Sequence, residues 1–257
     1  MMKKLMITTL VVSMVLAGGV FSQVNAMTGQ DLLENMDETM RVDNKYMEQE
    51  MVLVSSRGSE RSREIATWSR VEAGNEQMLV RFLAPADVAG TGLLMEGDDM
   101  WLFLPELNNT RRIAGSARQG DFMGSDLSYE DMEALGTVGF SNDYQAELVE
   151  IVEFEGREAY KLELIPANDG VVYSNLEVKV NSEFWLPLKI DYYEAGELVK
   201  TLLTFDHAEL DGRWTAKMLE MTDHDSGSQT RLILNEVDYN TEIDSGVFTT
   251  RNLERGL

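Results

Sequence analysis

Beyond its first forty residues the chain returns again and again to a period of two, the pattern that a half-buried strand requires. Tyr160, Leu162 and Leu164 alternate with Lys161 and Glu163; Leu176, Val178 and Val180 alternate with Glu177 and Lys179. Leu188, Ile190 and Tyr192 likewise alternate with Lys189 and Asp191. Between candidate strands stand Glu155-Gly156, Ala195-Gly196, Asp211-Gly212 and Ser226-Gly227, dipeptides suited to positive φ in a tight hairpin. Consecutive antiparallel pairing follows. Further strands are expected near residues 47–55, 62–71, 77–83, 92–96, 100–104, 144–154, 198–205, 214–221 and 230–234. An open, twisted sheet of about a dozen strands tends to curl. The expected fold class is therefore mainly β: a strongly curved antiparallel sheet or incomplete β-barrel.

Two segments stand outside that pattern. The first 26 residues read as a secretory signal peptide: Lys3 and Lys4 supply a positive start, Leu5 to Phe21 an apolar run, and Val24-Asn25-Ala26 a cleavage site. Residues 27–257 then form a single domain, opening with a short helix in which Thr28 and Asp31 are spaced as a capping box and Leu32, Leu33, Met36 and Met40 share a face. In a Gram-negative cell, which the sequence suggests, export means the periplasm. The second segment, residues 106–141, carries many glycines and only a brief helical signal at Ser128 to Leu135, yet it also carries Ile113, Phe122, Met123, Leu127, Met132 and Leu135. A loop so long and so apolar is expected to lie as a flap over the mouth or concave face of the sheet.

Composition removes several function classes. Lys and Arg number 22 against 45 Asp and Glu, giving a net charge of -23 that repels nucleic acid and anionic membranes. No cysteine is present, which excludes disulfides, thiolate catalysis and thiolate metal sites. The two histidines, His207 and His224, belong to no clustered ligand pattern. His224, between Asp223 and Asp225 and just before Ser226-Gly227, reads as part of a solvated hairpin turn, and His207 as a residue at a strand end. Ser125 lacks a nucleophile-elbow sequence, and Gly90-Thr91-Gly92 is followed by Met95 where a dinucleotide loop needs glycine. An enzyme, a metal and a cofactor are therefore not expected. What stands out is soft apolar surface: sixteen methionines, twelve of them beyond residue 26. Such side chains adapt to irregular partners such as acyl chains.

Several stretches together resemble the exported outer-membrane lipoprotein-sorting family, the LolA-like proteins. They are Arg81 to Leu93, Met100-Trp101-Leu102-Phe103-Leu104-Pro105, Arg111-Arg112-Ile113, Phe122-Met123-Gly124-Ser125-Asp126-Leu127-Ser128-Tyr129-Glu130-Asp131 and the closing Phe248 to Glu254. The resemblance implies an unclosed antiparallel barrel of about eleven strands round an apolar cavity, with helices as a lid and no cofactor. It implies a periplasmic carrier that binds acyl chains of lipoproteins or phospholipids and moves them toward the outer membrane. Its partners would be an inner-membrane lipid exporter or lipoprotein-releasing transporter and a transient outer-membrane acceptor. Trp101, Phe103, Ile113, Phe122, Met123, Leu127, Met132 and Leu135 are the candidate lipid-binding residues. The alternative is an exported, non-enzymatic module that recognises a protein or polymer partner.

Overall fold

A computed structural model describes residues 27–168 and 170–256; the expected signal peptide lies outside the described residues. The strands are β1 (Asn44–Val54), β2 (Glu60–Glu72), β3 (Asn75–Ala84), β4 (Gly92–Glu96), β5 (Asp99–Leu104), β6 (Asn109–Arg112), β7 (Tyr144–Phe154), β8 (Arg157–Pro166), β9 (Asn175–Asn181), β10 (Pro187–Glu194), β11 (Glu197–Leu210), β12 (Arg213–Asp223) and β13 (Gln229–Asp238). All belong to one antiparallel sheet, in the order β6-β5-β4-β3-β2-β1-β13-β12-β11-β10-β9-β8-β7. Three of the expected hairpins turn on pairs with positive φ at both positions, among them Glu155 at +50° with Gly156 at +75°. That combination matches the right-handed twist of the flanking strands.

The thirteen described strands are the dozen read from the sequence and one more, β6, which opens the segment expected to be a flap; the resemblance implied about eleven. Asn109-Thr110-Arg111-Arg112 has no apolar period because it forms an exposed edge and buries neither face. His207 is not at a strand end: Asp206 takes φ +53°, but the β11–β12 register is the same on either side of it, and the strand runs on to Leu210.

The sheet's inner face carries the main core. Leu162, Leu164, Leu176, Val178, Val180 and Ile190 point into it. The intervening charges pair across the other face, Lys161 with Glu177 at 3.0 Å and Lys189 with Asp191 at 2.7 Å. The helix α1 (Gly29–Met40), closed by the Thr28–Asp31 capping box, buries Leu32, Leu33 and Met36 in the same core. Gly29 is required there: a β-carbon would lie 2.5 Å from the Ala146 oxygen and the Leu148 nitrogen of β7. A smaller cluster covers the outer face, where Phe248 and Leu253 of the C-terminal segment pack on Leu79, Leu94 and Phe103. That segment ends in a helix, α3 (Thr250–Arg255), held by Arg81 Nη1, which donates to the Leu253 carbonyl at 2.8 Å.

The strand order dictates the path of the segment between β6 and β7. These two strands are opposite edges of the sheet, so the chain joining them must span it, and the burial of Ile113, Phe122 and Leu127 in the main core puts that crossing on the inside of the curl. It does so through a bridge between Asp121 and Ser128, the short helix α2 (Tyr129–Glu133) and a wide turn over Ala134–Val138. Phe122 packs between Phe82 and Tyr129, each with ring centroids 5.6 Å away.

Candidate functional site

Polar latches fix this crossing segment to the wall. Arg63 donates to the Met123 carbonyl at 2.7 Å, and the Asp126 carboxylate accepts from Thr230 at 2.6 Å and from Ser228. Asp37 of α1 accepts from the backbone amides of Phe140 and Ser141, the latter at 2.7 Å; burial raises its pKa. The deepest latch is Asp131, only 2% exposed. Its carboxylate accepts from Tyr173 Oη at 2.9 Å, Lys200 Nζ at 3.0 Å and the Ser128 amide at 2.8 Å. Beside these latches the segment buries Ile113, Phe122, Leu127 and Met132 in the main core, and it covers the inner face as a lid that belongs to none of the sheet's continuous ladders.

Two cavities flank the lid. One, of about 730 Å³, has an apolar wall that includes Met95, Phe140, Leu176 and Tyr192 and an acidic rim that includes Asp98, Glu130, Glu133 and Asp143. Burial raises the Glu130 pKa against the opposing pull of Arg118, which pairs with Glu133. The other, of about 150 Å³, lies between the lid and the inner face of β1, β2 and β11–β13. Met40, Met47, Met78, Met132 and Leu135 line it. Lys45, 8% exposed, opens onto the same cavity, and burial first and Arg213 second bring its pKa down to about 8.

The structure distributes the eight candidate residues unevenly. Met132 and Leu135 line the smaller cavity. Ile113, Phe122 and Leu127 are buried in the main core and line neither cavity, and Met123 packs half-buried against that core. Trp101 and Phe103 lie on the outer face, in the cluster that Phe248 and Leu253 cover. Sequence reasoning passed over Lys45, Ser69 and Arg213, all on the wall of the smaller cavity. For Lys45 a signal existed, since it shares strand parity with Met47 and the fully buried Met51.

The residues considered for catalysis have structural partners. The Ser125 hydroxyl donates to the Phe122 carbonyl at 2.8 Å, closing the turn before α2. His207 lies 2.8 Å from Thr204 Oγ1 and packs on Phe184, and burial lowers its pKa. His224, exposed in its turn, lies 2.9 Å from Thr201 Oγ1.

An unclosed antiparallel sheet curled round a core, with the link between its two edges folded across the inside, is the lipoprotein-sorting carrier fold. A DUF1329 family protein from Desulfovibrio piger has this fold at a TM-score of 0.82, with 30% identity over 88% of this chain and 97% of its own. A protein from Vibrio parahaemolyticus, described as an outer membrane lipoprotein-sorting protein domain, gives 0.80 and 26% over 88% and 98%. A LolA superfamily protein from Nitrosomonas europaea shares the fold at 0.71, with 24% identity over 87% and 98%. A family model described as an uncharacterized protein matches residues 74–255, and no curated protein matches in sequence. The chain belongs to the DUF1329 family.

Proposed function

We propose that this protein is an exported carrier that binds acyl chains of lipoproteins or phospholipids under its lid and moves them through the periplasm toward the outer membrane. The observation that carries the reading is the methionine-rich cavity between the lid and the inner sheet face. A dry apolar wall holds a hydrocarbon chain through about 0.8 kcal/mol per buried methylene and needs no catalytic group. An apolar cavity near 150 Å³ takes a ligand about the size of benzene, so the closed form has no room for a whole lipid. Loading therefore requires the lid to swing away from the sheet, and release follows when an apolar acceptor competes. Leu135, half-buried on the lid side of the cavity, is the residue to test. Leu135→Asp places a carboxylate against the apolar wall and should weaken binding of a fluorescent fatty acid by about tenfold or more. Leu162→Asp, deep in the strand core, should damage folding first. Unchanged fatty-acid affinity in Leu135→Asp, with the fold intact, would remove this cavity from the reading.

A second reading, recognition of a protein partner, is favoured by one feature. The edge strand β7 exposes Leu148, Val149 and Ile151, and beyond the stretch near Ala146 that Gly29 and Gln30 of α1 cover, another strand could add to this edge. The two readings are compatible if a membrane partner docks on this edge.

A further inference from the structure

The smaller cavity is mainly apolar, but its wall also carries two cations and a buried hydroxyl without a partner. Lys45 Nζ makes one hydrogen bond, 3.4 Å to the Gly136 carbonyl of the lid. Directly opposite on β2 is Ser69, 1% exposed, whose hydroxyl has no partner. Arg213 contributes a second cation and spends its guanidinium on two backbone carbonyls, those of Thr39 at 3.2 Å and Arg41 at 2.6 Å. Among the described residues, neither Lys45 nor Arg213 forms an ion pair with a carboxylate. In a chain with 45 acidic and 22 basic residues, two cations facing one cavity without a counter-charge form a niche of opposite sign to the rest of the protein. A buried ammonium in such a setting needs an anionic partner.

We propose that this cavity selects acyl ligands with an anionic head, a carboxylate or a phosphate, seated against Lys45 and Ser69 with Arg213 nearby. The inference rests on the acyl-carrier reading and adds the chemical class of the cargo. In the closed form the Gly136 carbonyl is the acceptor nearest to hand; an anionic head takes over this bond, so that loading the ligand frees the lid from Lys45. The acidic rim of the larger cavity turns the same ligands away from that side, which gives the tail one favoured direction of entry.

The test uses ligands with one tail and different heads: dodecanoate, dodecyl phosphate, dodecanol and dodecylamine, each displacing a fluorescent fatty acid, with inorganic phosphate as the tail-free control. The two anions should outcompete dodecanol by about tenfold or more, the fold-change expected of a charge-assisted hydrogen bond. Lys45→Met should abolish that preference while leaving dodecanol unchanged, Lys45→Arg should keep it, and Ser69→Ala should reduce it. Equal competition by acid and alcohol in the wild type, or a preference that survives Lys45→Met, overturns the proposal and leaves the acyl carrier standing. Inorganic phosphate displacing the probe as well as dodecyl phosphate does would make this an anion site without a tail, which also overturns it. If no tailed compound displaces the probe, the carrier reading fails instead.

Discussion

Asp131→Asn is expected to cost the fold about 3–5 kcal/mol, the usual penalty for removing one partner of a buried ion pair. Asp131 and Lys200 are 2% and 12% exposed in their side chains, and the lysine has no other ion-pair partner among the described residues. An asparagine can still accept from Tyr173 but leaves the ammonium of Lys200 with only the carboxylate of Asp223, its neighbour across β11 and β12, to offset its charge. The loss should be read by urea unfolding of Asp131→Asn, Lys200→Met and the double variant. Because the two side chains form one network, the double variant should recover most of the single loss. Limited proteolysis should cut Asp131→Asn within residues 113–141 before it cuts the sheet, since this latch ties α2 to β11. A loss below about 1 kcal/mol, with the lid still protected, would show that the ion pair does not hold the lid.

Lys45→Met is expected to act in the opposite direction and to raise stability at neutral pH. The native pKa of Lys45 lies at about 8 against 10.5 for a free lysine, so the native state disfavours the charged form. Between these two values the unfolded chain binds more protons than the folded one, and stability rises with pH. Below pH 8 the penalty is present in full, on the order of 3 kcal/mol; above about 10.5 it is gone. The methionine variant has no such penalty. Its advantage over the wild type should be about 3 kcal/mol at pH 7 and about 1 kcal/mol at pH 10. The difference between the two proteins isolates Lys45 from tyrosines that titrate in the same range. A gap that stays constant from pH 7 to pH 10 would show that Lys45 is solvated rather than sealed against the cavity wall.

The sheet was legible in the sequence because each of its central strands has one wet face. Leu162, Leu164, Leu176 and Val178 fall inside, and Lys161, Glu163, Glu177 and Lys179 fall on the other face, which is what the alternation says. The turns were legible because Glu155-Gly156 and Ala195-Gly196 need a conformation that few dipeptides take without strain. Period two tells which residues share a face, but not which face is inside. Trp101 and Phe103 therefore looked like cavity residues, and only their contact with Phe248 and Leu253, nearly 150 positions away in the chain, places them outside. Phe122 was legible as an apolar group in a long loop; that it fills the core between Phe82 and Tyr129 depends on how the sheet curls. Lys45 was hidden for a different reason. A lysine at the start of a strand is ordinarily solvated, whereas here it faces a cavity that Met132, Leu135 and Gly136 of the lid also line, and it bonds to the Gly136 carbonyl.

Native mass spectrometry of the protein recovered from the cells that produce it tests the central claim most directly. The expected species begins at Met27 and carries one lipid-sized adduct, which denaturation releases as an acyl compound with a carboxylate or phosphate head. A ligand-free mass, together with no uptake of acyl lipid from vesicles by the purified protein, would contradict the account of the cavity as a carrier site.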